Sequence, residues 1–264
     1  WRKDIEVNGD YKGLSNHNDR YALNNFDRVL KKLSQKKRQQ TTIADLVNTE
    51  IDMMADGLNS VTMTGGEPLL DHRFSDMIQK FKNTKSVVVH SGLGVSETVL
   101  RRGLDAMSDT QHKTTLCISA ESIGKNFEFN RQGSNWETFL RYIDIIKEYD
   151  VAIQFTSTYS NLNITDYVKF NTMFHEYPIS MNMVYDPAFM SVYNLDDETK
   201  KQVINDIKQS RLSNSKNANE IINTINQPTN EKLRQELRYF IQEFTRRRKI
   251  SIDFMPESFK TWIK

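Results

Sequence analysis

Residues 60–70 read Ser-Val-Thr-Met-Thr-Gly-Gly-Glu-Pro-Leu-Leu, a short β-type run that breaks into two glycines, a carboxylate and a proline before the chain turns helical. Gly65 and Gly66 allow backbone angles closed to other residues and bring bare main chain close to a ligand, while Pro68 sets the exit and removes a donor. A strand end built this way offers carbonyl oxygens to a bound ammonium group. A Gly-Gly pair alone is more often a plain strand-to-helix turn; the full string is far more specific. A second run, Cys117-Ile118-Ser119-Ala120-Glu121, ends another β-type stretch in a hydroxyl and a carboxylate, and Arg131 follows in a polar turn.

The elements that must position these groups follow from hydrophobic period. Phe26, Val29, Leu30 and Leu33 have helical spacing, and Ile43, Leu46, Val47 and Met54 make a second helix. Short β-branched runs recur at 61–63, 87–89, 114–118, 151–155 and 179–184, separated by helix-patterned stretches, and strands alternating with helices imply a parallel sheet. The clearest helix spans 136–149, with Ser134 and Glu137 at capping-box spacing, so it starts just after the Arg131 turn. Beyond Tyr185-Asp186-Pro187 a helix is expected from about Asp196, then a polar, mobile stretch over 210–219, then a long helix starting at Thr229 and carrying Leu233, Leu237, Phe240, Ile241 and Phe244.

Strand side chains alternate faces, and in each strand one set is apolar: Val61 and Met63, Leu116 and Ile118, Ile153 and Phe155, Met181 and Met183. The alternate set is Thr62, Thr64, Cys117, Ser119, Glu121, Gln154, Thr156, Thr158, Ser180 and Asn182. Closed barrels pack branched apolar residues inside, so a polar interior points to a lined cavity. Cys117 reads as a small buried thiol and His90 as an inward, satisfied core imidazole. Glu121 reads either as a ligand contact or as a strand-end carboxylate paired with a nearby base; Arg131 reads either as a ligand contact or as the surface partner of Glu128 or Glu137. The run Arg246-Arg247-Arg248-Lys249 reads as a solvated helix end favoured by its dipole.

At 264 residues, 38% of them hydrophobic, the chain can bury one substantial core. A net charge of +2 gives no argument for nucleic acid or an anionic membrane. No apolar run reaches the roughly 18 residues of a membrane span and no signal peptide opens the sequence, so a soluble cytoplasmic protein is expected. The single cysteine excludes an internal disulfide and fits a reducing compartment.

The Gly65-Gly66-Glu67-Pro68 string resembles the Gly-Gly-Glu-Pro motif of radical SAM enzymes, which ends the second barrel strand and holds the amino group of S-adenosylmethionine. The segment from Cys117 to Gly124, followed by Arg131-Gln132-Gly133-Ser134-Asn135-Trp136, resembles that family's fourth strand and its approach to a helix. Met255-Pro256-Glu257-Ser258-Phe259 is similar to the tail of the SPASM/twitch-type subgroup. The resemblance covers nearly the whole chain and implies an α/β fold: a partial TIM barrel of parallel βα units over 1–190, lacking the first strand and cluster loop, with a C-terminal helical extension over 191–264. It implies reductive cleavage of S-adenosylmethionine to a 5'-deoxyadenosyl radical that abstracts hydrogen from a substrate, for which the subgroup resemblance suggests a peptide or protein, with an electron donor as partner.

By resemblance, Gly65, Gly66, Glu67 and Pro68 would meet the amino acid end of S-adenosylmethionine, Ser119 and Glu121 its ribose or carboxylate, and Arg131 the carboxylate; Gln154 and Thr156 complete the expected contacts. Glu121 departs from the more usual Asp, and His90-Ser91-Gly92 stands where relatives read Thr-Asn-Gly, which leaves the role of Ser91 open. The family's Cys-x-x-x-Cys-x-x-Cys loop, which ligates a [4Fe-4S] cluster, is expected upstream of Trp1, and no auxiliary cluster is expected because no cysteine follows Cys117. The rival reading is a non-catalytic S-adenosylmethionine-binding or interaction barrel. An aldolase-like barrel would want an inward lysine, and no strand run offers one.

Overall fold

The computed structural model describes residues 2–15, 55–81, 84–111 and 114–264. The two helices expected around Phe26 to Leu33 and Ile43 to Met54 lie outside the described residues. The elements run α1 (Arg2–Asn8), β1 (Ser60–Met63), α2 (Phe74–Lys80), β2 (Ser86–Ser91), α3 (Glu97–Ser108), β3 (Thr114–Ser119), α4 (Gly124–Asn130) and α5 (Trp136–Ile146). They continue as β4 (Ala152–Tyr159), α6 (Tyr167–Met173), β5 (Ile179–Met183), α7 (Asp197–Gln209), α8 (Lys216–Ile225), α9 (Glu231–Arg248) and α10 (Glu257–Ile263), with short 3-10 turns between some of them. Among the described residues no helix is long and apolar enough to cross a membrane.

Among the described residues five strands form one parallel sheet in the order β1-β2-β3-β4-β5, curled into a half-barrel, so the fold is α/β. Each strand lies beside its predecessor, as repeated βα units require. The register aligns Met63 with Val89, His90 with Cys117, Cys117 with Gln154, and Ser119 with Thr156. Val87, Val89, Leu116, Ile118, Ile153 and Phe155 are buried, and the alternate positions Thr62, Val88, Thr115, Ser119, Gln154, Thr156, Thr158, Ser180 and Asn182 keep partial or full exposure. The period of two therefore separates the faces as the sequence predicts. Cys117 is the exception on the polar face, buried at 2% exposure.

Contacts divide the chain into two units. One takes its described residues from 41–158 and 171–182. Its helix layer is aromatic: Phe139 lies 4.6 Å from Phe127 and 6.3 Å from Phe174 between ring centroids, and Phe155 lies 4.6 Å from Phe174. The start of α5 departs from the expected capping box. Asn135, not Ser134, is the N-cap, and its side chain accepts from the Thr138 amide at 2.9 Å. Both residue types cap helices well, and a one-residue shift selects between them.

The other unit takes its described residues from 1–40, 159–170 and 183–264. α7 is capped by Asp196 and α9 by Asn230. The polar stretch over 210–219 is not a mobile linker throughout, since Ser215 caps α8 and Ala218 is fully buried. α9 buries Leu237, Phe240, Ile241 and Phe244, and Phe240 stacks on Tyr11 at 5.6 Å and meets Phe189 at 5.2 Å. The basic end of α9 is solvated only in part: Arg246 and Lys249 are exposed, whereas the side chains of Arg247 and Arg248 are not. The Arg247 side chain is 2% exposed, sits 4.0 Å over the Tyr11 ring and donates to the carbonyls of Gly9 (2.6 Å) and Asp10 (3.1 Å). Arg248 lies 3.9 Å over Phe244 and 3.8 Å from Asp4. Burial and the hydrogen bond to Asp4 push the Tyr11 phenol well above its ordinary pKa.

Candidate functional site

The C-terminal ends of β1, β2 and β3 carry the candidate site. After Met63 the chain needs a sharp exit, and Gly65 and Gly66 supply it with φ of +101° and +54°, values that L side chains rarely adopt. A Cβ at either glycine would meet nothing within 4 Å, so the glycines serve backbone angle and leave open main chain there. Pro68 opens a 3-10 turn over Pro68–Leu70 that buries Leu69, whose carbonyl accepts from the Arg102 guanidinium at 2.8 Å. This turn fixes the backbone that follows Glu67, whose carbonyl accepts the Leu70 amide at 3.1 Å.

Glu67 Oε2 accepts the Gly92 amide from the end of β2 at 3.0 Å. Its other oxygen, Oε1, is buried and has no hydrogen-bond partner among the described residues. Glu121, 5% exposed just beyond β3, accepts from Arg131 Nη2 at 2.7 Å. The Arg131 amide bonds to the Phe127 carbonyl at 2.9 Å, which holds the residue at the end of α4. Arg131 Nη1 and Glu67 Oε2 lie 3.6 and 3.9 Å from the point where a Cβ on Gly92 would stand. Glu67, Gly92, Arg131 and Glu121 are therefore one cluster of two carboxylates and one guanidinium. Arg131 Nε is buried without a partner among the described residues, as Glu67 Oε1 is.

The expected surface partners of Arg131 are occupied differently. Glu128 accepts from Lys125 Nζ at 2.8 Å, the Trp136 amide at 3.1 Å and Asn135 Nδ2 at 3.2 Å. The Lys125 ammonium and these donors hold the Glu128 carboxyl below its ordinary range. Glu121 is thus the base-paired strand-end carboxylate, with Arg131 as that base.

The remaining predicted residues sit along the polar face of the sheet. Ser119 is registered beside Thr156. Thr156 Oγ1 is 2.9 Å from Cys117 Sγ, and Gln154 Nε2 donates to Ser180 Oγ at 3.0 Å. His90 is half-buried beside Cys117 in register. None of these makes a hydrogen bond to the Glu67 cluster. Sequence reasoning passed over Gly92 as a donor and left Ser91 open. Ser91 is buried, and its Oγ accepts from the Leu93 amide at 2.9 Å, which fixes the loop that presents the Gly92 amide. The signal available was a glycine directly after a strand.

Among the described residues no group of three or more His, Cys, Asp or Glu side chains is placed to hold a metal ion. The sequence has one cysteine, and it lies within β3. These residues do not fit a thiolate-ligated [4Fe-4S] cluster. Chemically, the Glu67 cluster can bind a group that carries both an ammonium and a carboxylate: the two carboxylates favour a cation, and the guanidinium favours an anion. Neither a scan of protein-family models nor a search of curated proteins finds a match to this chain.

Proposed function

We propose that this chain is the S-adenosylmethionine-binding half-barrel of a radical SAM enzyme. The observation that carries the reading is the buried, unpartnered Glu67 Oε1 beside Gly65 and Gly66 at the end of a parallel strand. A buried carboxylate oxygen left without a donor is costly, and a ligand ammonium removes that cost. Arg131, with Nε unpartnered, would take the carboxylate of the same amino acid group, and Glu121 orients its guanidinium. Ser119, Gln154 and Thr156 would offer neutral hydrogen-bonding groups to the rest of the ligand. When bound, S-adenosylmethionine supplies a sulfonium carbon–sulfur bond open to reductive cleavage. This chain's residues bind and orient it; no electron-transfer step is assigned to them, because the thiolates for a cluster are not among them.

A second reading on the same geometry is a barrel that binds S-adenosylmethionine without catalysis. Titration calorimetry with S-adenosylmethionine tests what the two readings share. Saturable binding is expected, weakened by about tenfold in Glu67→Gln, which loses one charge-assisted hydrogen bond. Absence of saturable binding, or indifference to both Glu67→Gln and Arg131→Ala, overturns them. Anaerobic reconstitution of the full-length protein with iron and sulfide, followed by assay for 5'-deoxyadenosine, separates the enzyme from the binding barrel.

A further inference from the structure

A cavity of about 360 Å³ opens beside the Glu67 cluster, on the helix side of the strand ends. Its walls are the loop after β2, with Gly92, Leu93 and Gly94, and the turn between α4 and α5, with Gln132 and Ser134. Nothing in the preceding reading uses it. Its volume falls in the roughly 300–1,000 Å³ range of ligand pockets. Filled with solvent it would hold on the order of ten waters at ~30 Å³ each, against walls that include the buried rings of Phe127, Phe139 and Tyr142.

The lining specifies the occupant's charge. No residue that lines the cavity is charged. The first amides of α5 are already engaged, Trp136 N by Glu128 at 3.1 Å and Thr138 N by the Asn135 side chain at 2.9 Å, so the helix start has little to offer an anion. No carboxylate faces the space to attract a cation. The side chains of Gln132, Ser134 and Thr138 make no hydrogen bond to any described residue, which leaves uncharged donors and acceptors at the cavity. Aromatic walls with a neutral polar rim suit a flat ring that carries one or two hydrogen-bonding atoms.

The walls are also held in place. Leu93 adopts a left-handed φ of +56°, unusual for a residue with a side chain, and its amide is fixed by Ser91 Oγ at 2.9 Å. The Tyr142 hydroxyl donates to the Val95 carbonyl at 3.0 Å, which ties the same loop to α5. A pocket fixed before its ligand arrives loses less ordering entropy on binding.

We propose that this cavity is a second binding site, one that takes an uncharged aromatic or heteroaromatic ring belonging to a ligand other than S-adenosylmethionine. The test is an amide-resolved NMR titration with indole. Saturable shifts are expected at Gly94, at residues 132–135 and at Thr138. Thr138→Trp, which fills the cavity from α5, should raise the indole dissociation constant by about tenfold or more. Should that variant fail to fold, Gly94→Phe blocks the rim instead, since Gly94 has no positive φ and open space at its Cβ. Asp144→Asn, on the exposed side of α5, should leave binding unchanged.

Absence of saturable shifts at these amides overturns the proposal, as do shifts that survive both blocking variants. Displacement of indole by S-adenosylmethionine overturns it too, because the cavity would then hold part of that ligand. The titration and its blocking variants are read without S-adenosylmethionine, so a failure to bind indole and a failure of the function proposed above are separate results.

Discussion

The Glu121–Arg131 pair offers the sharpest test of the site's architecture. The Glu121 side chain is 7% exposed and that of Arg131 22%, with 2.7 Å between Oε2 and Nη2. Arg131→Met strands a nearly buried carboxylate, and breaking a buried pair in this way costs ~3–5 kcal/mol. Partial exposure of the guanidinium lets water reach the remaining charge, which puts the expected loss at the low end, about 3 kcal/mol. Glu121→Gln keeps an acceptor but removes the charge, a loss of about 2 kcal/mol. Glu67 loses the nearby guanidinium in Arg131→Met and in the double variant alike, and the double variant strands no charge at position 121, so it should cost no more than Arg131→Met alone, a coupling of about 2 kcal/mol. Urea unfolding of the four proteins measures it, provided the slope with denaturant stays constant across the set. Trp136 is the reporter, 5.2 Å from Phe127 in the same unit, in a background where Trp1 and Trp262 are replaced by Phe. Additivity within about 0.5 kcal/mol would place the pair with solvent-screened surface bridges and refute the reasoning.

Three further outcomes are expected. Phe155→Ala, on the fully buried face of β4, should cost about 3–5 kcal/mol by urea unfolding, and Gln154→Ala, one residue earlier on the polar face, under about 1 kcal/mol; similar losses would contradict the two-faced sheet. Arg247→Met removes the cation over Tyr11 and two hydrogen bonds to the Gly9 and Asp10 carbonyls, and should cost about 2–3 kcal/mol, with faster amide exchange in α1. Arg246, with Arg247 beside it, lowers the Glu243 carboxyl from its ordinary 4.5 to about 2. A depressed carboxylate contributes stability above its unfolded pKa and loses it as pH falls through the folded one. The melting-temperature gap between the wild type and Glu243→Gln should therefore be full above pH 4.5 and close as pH falls toward 2; a gap that persists at the acid end would contradict the assignment.

Much of the scaffold was legible residue by residue. The alternation in Leu116-Cys117-Ile118 and Ile153-Gln154-Phe155 sorts the sheet faces because neighbouring side chains on a strand must point apart, a property of adjacent residues alone. Gly65 and Gly66 take positive φ for the same kind of reason, since local sterics decide who can occupy those angles. The start of α5 was legible to within one residue. Asn135 rather than Ser134 capped it because the Asn135 side chain could also donate to Glu128. The order of the strands followed as well, since βα repeats place each strand beside the last.

Partner choice was not legible. Three acids stood near Arg131 in the sequence, and the fold selected the most distant of them, Glu121, because Lys125 and the start of α5 had already engaged Glu128. Glu67 meets the Gly92 amide across 25 residues, a contact that exists only once β1 and β2 lie in register. Arg247, near the end of α9, looks solvated in sequence, yet its side chain is buried in the fold, because the Tyr11 ring covers it and the carbonyls of Gly9 and Asp10, 238 and 237 positions away, accept from it, while Arg246 stays exposed. By itself the sequence determined which face the strand residues of β3 and β4 take and where the chain needs glycine angles after β1, since these depend on immediate neighbours. Only the tertiary structure decided which charges meet and which stay buried, because those outcomes depend on distances that close after the chain has packed.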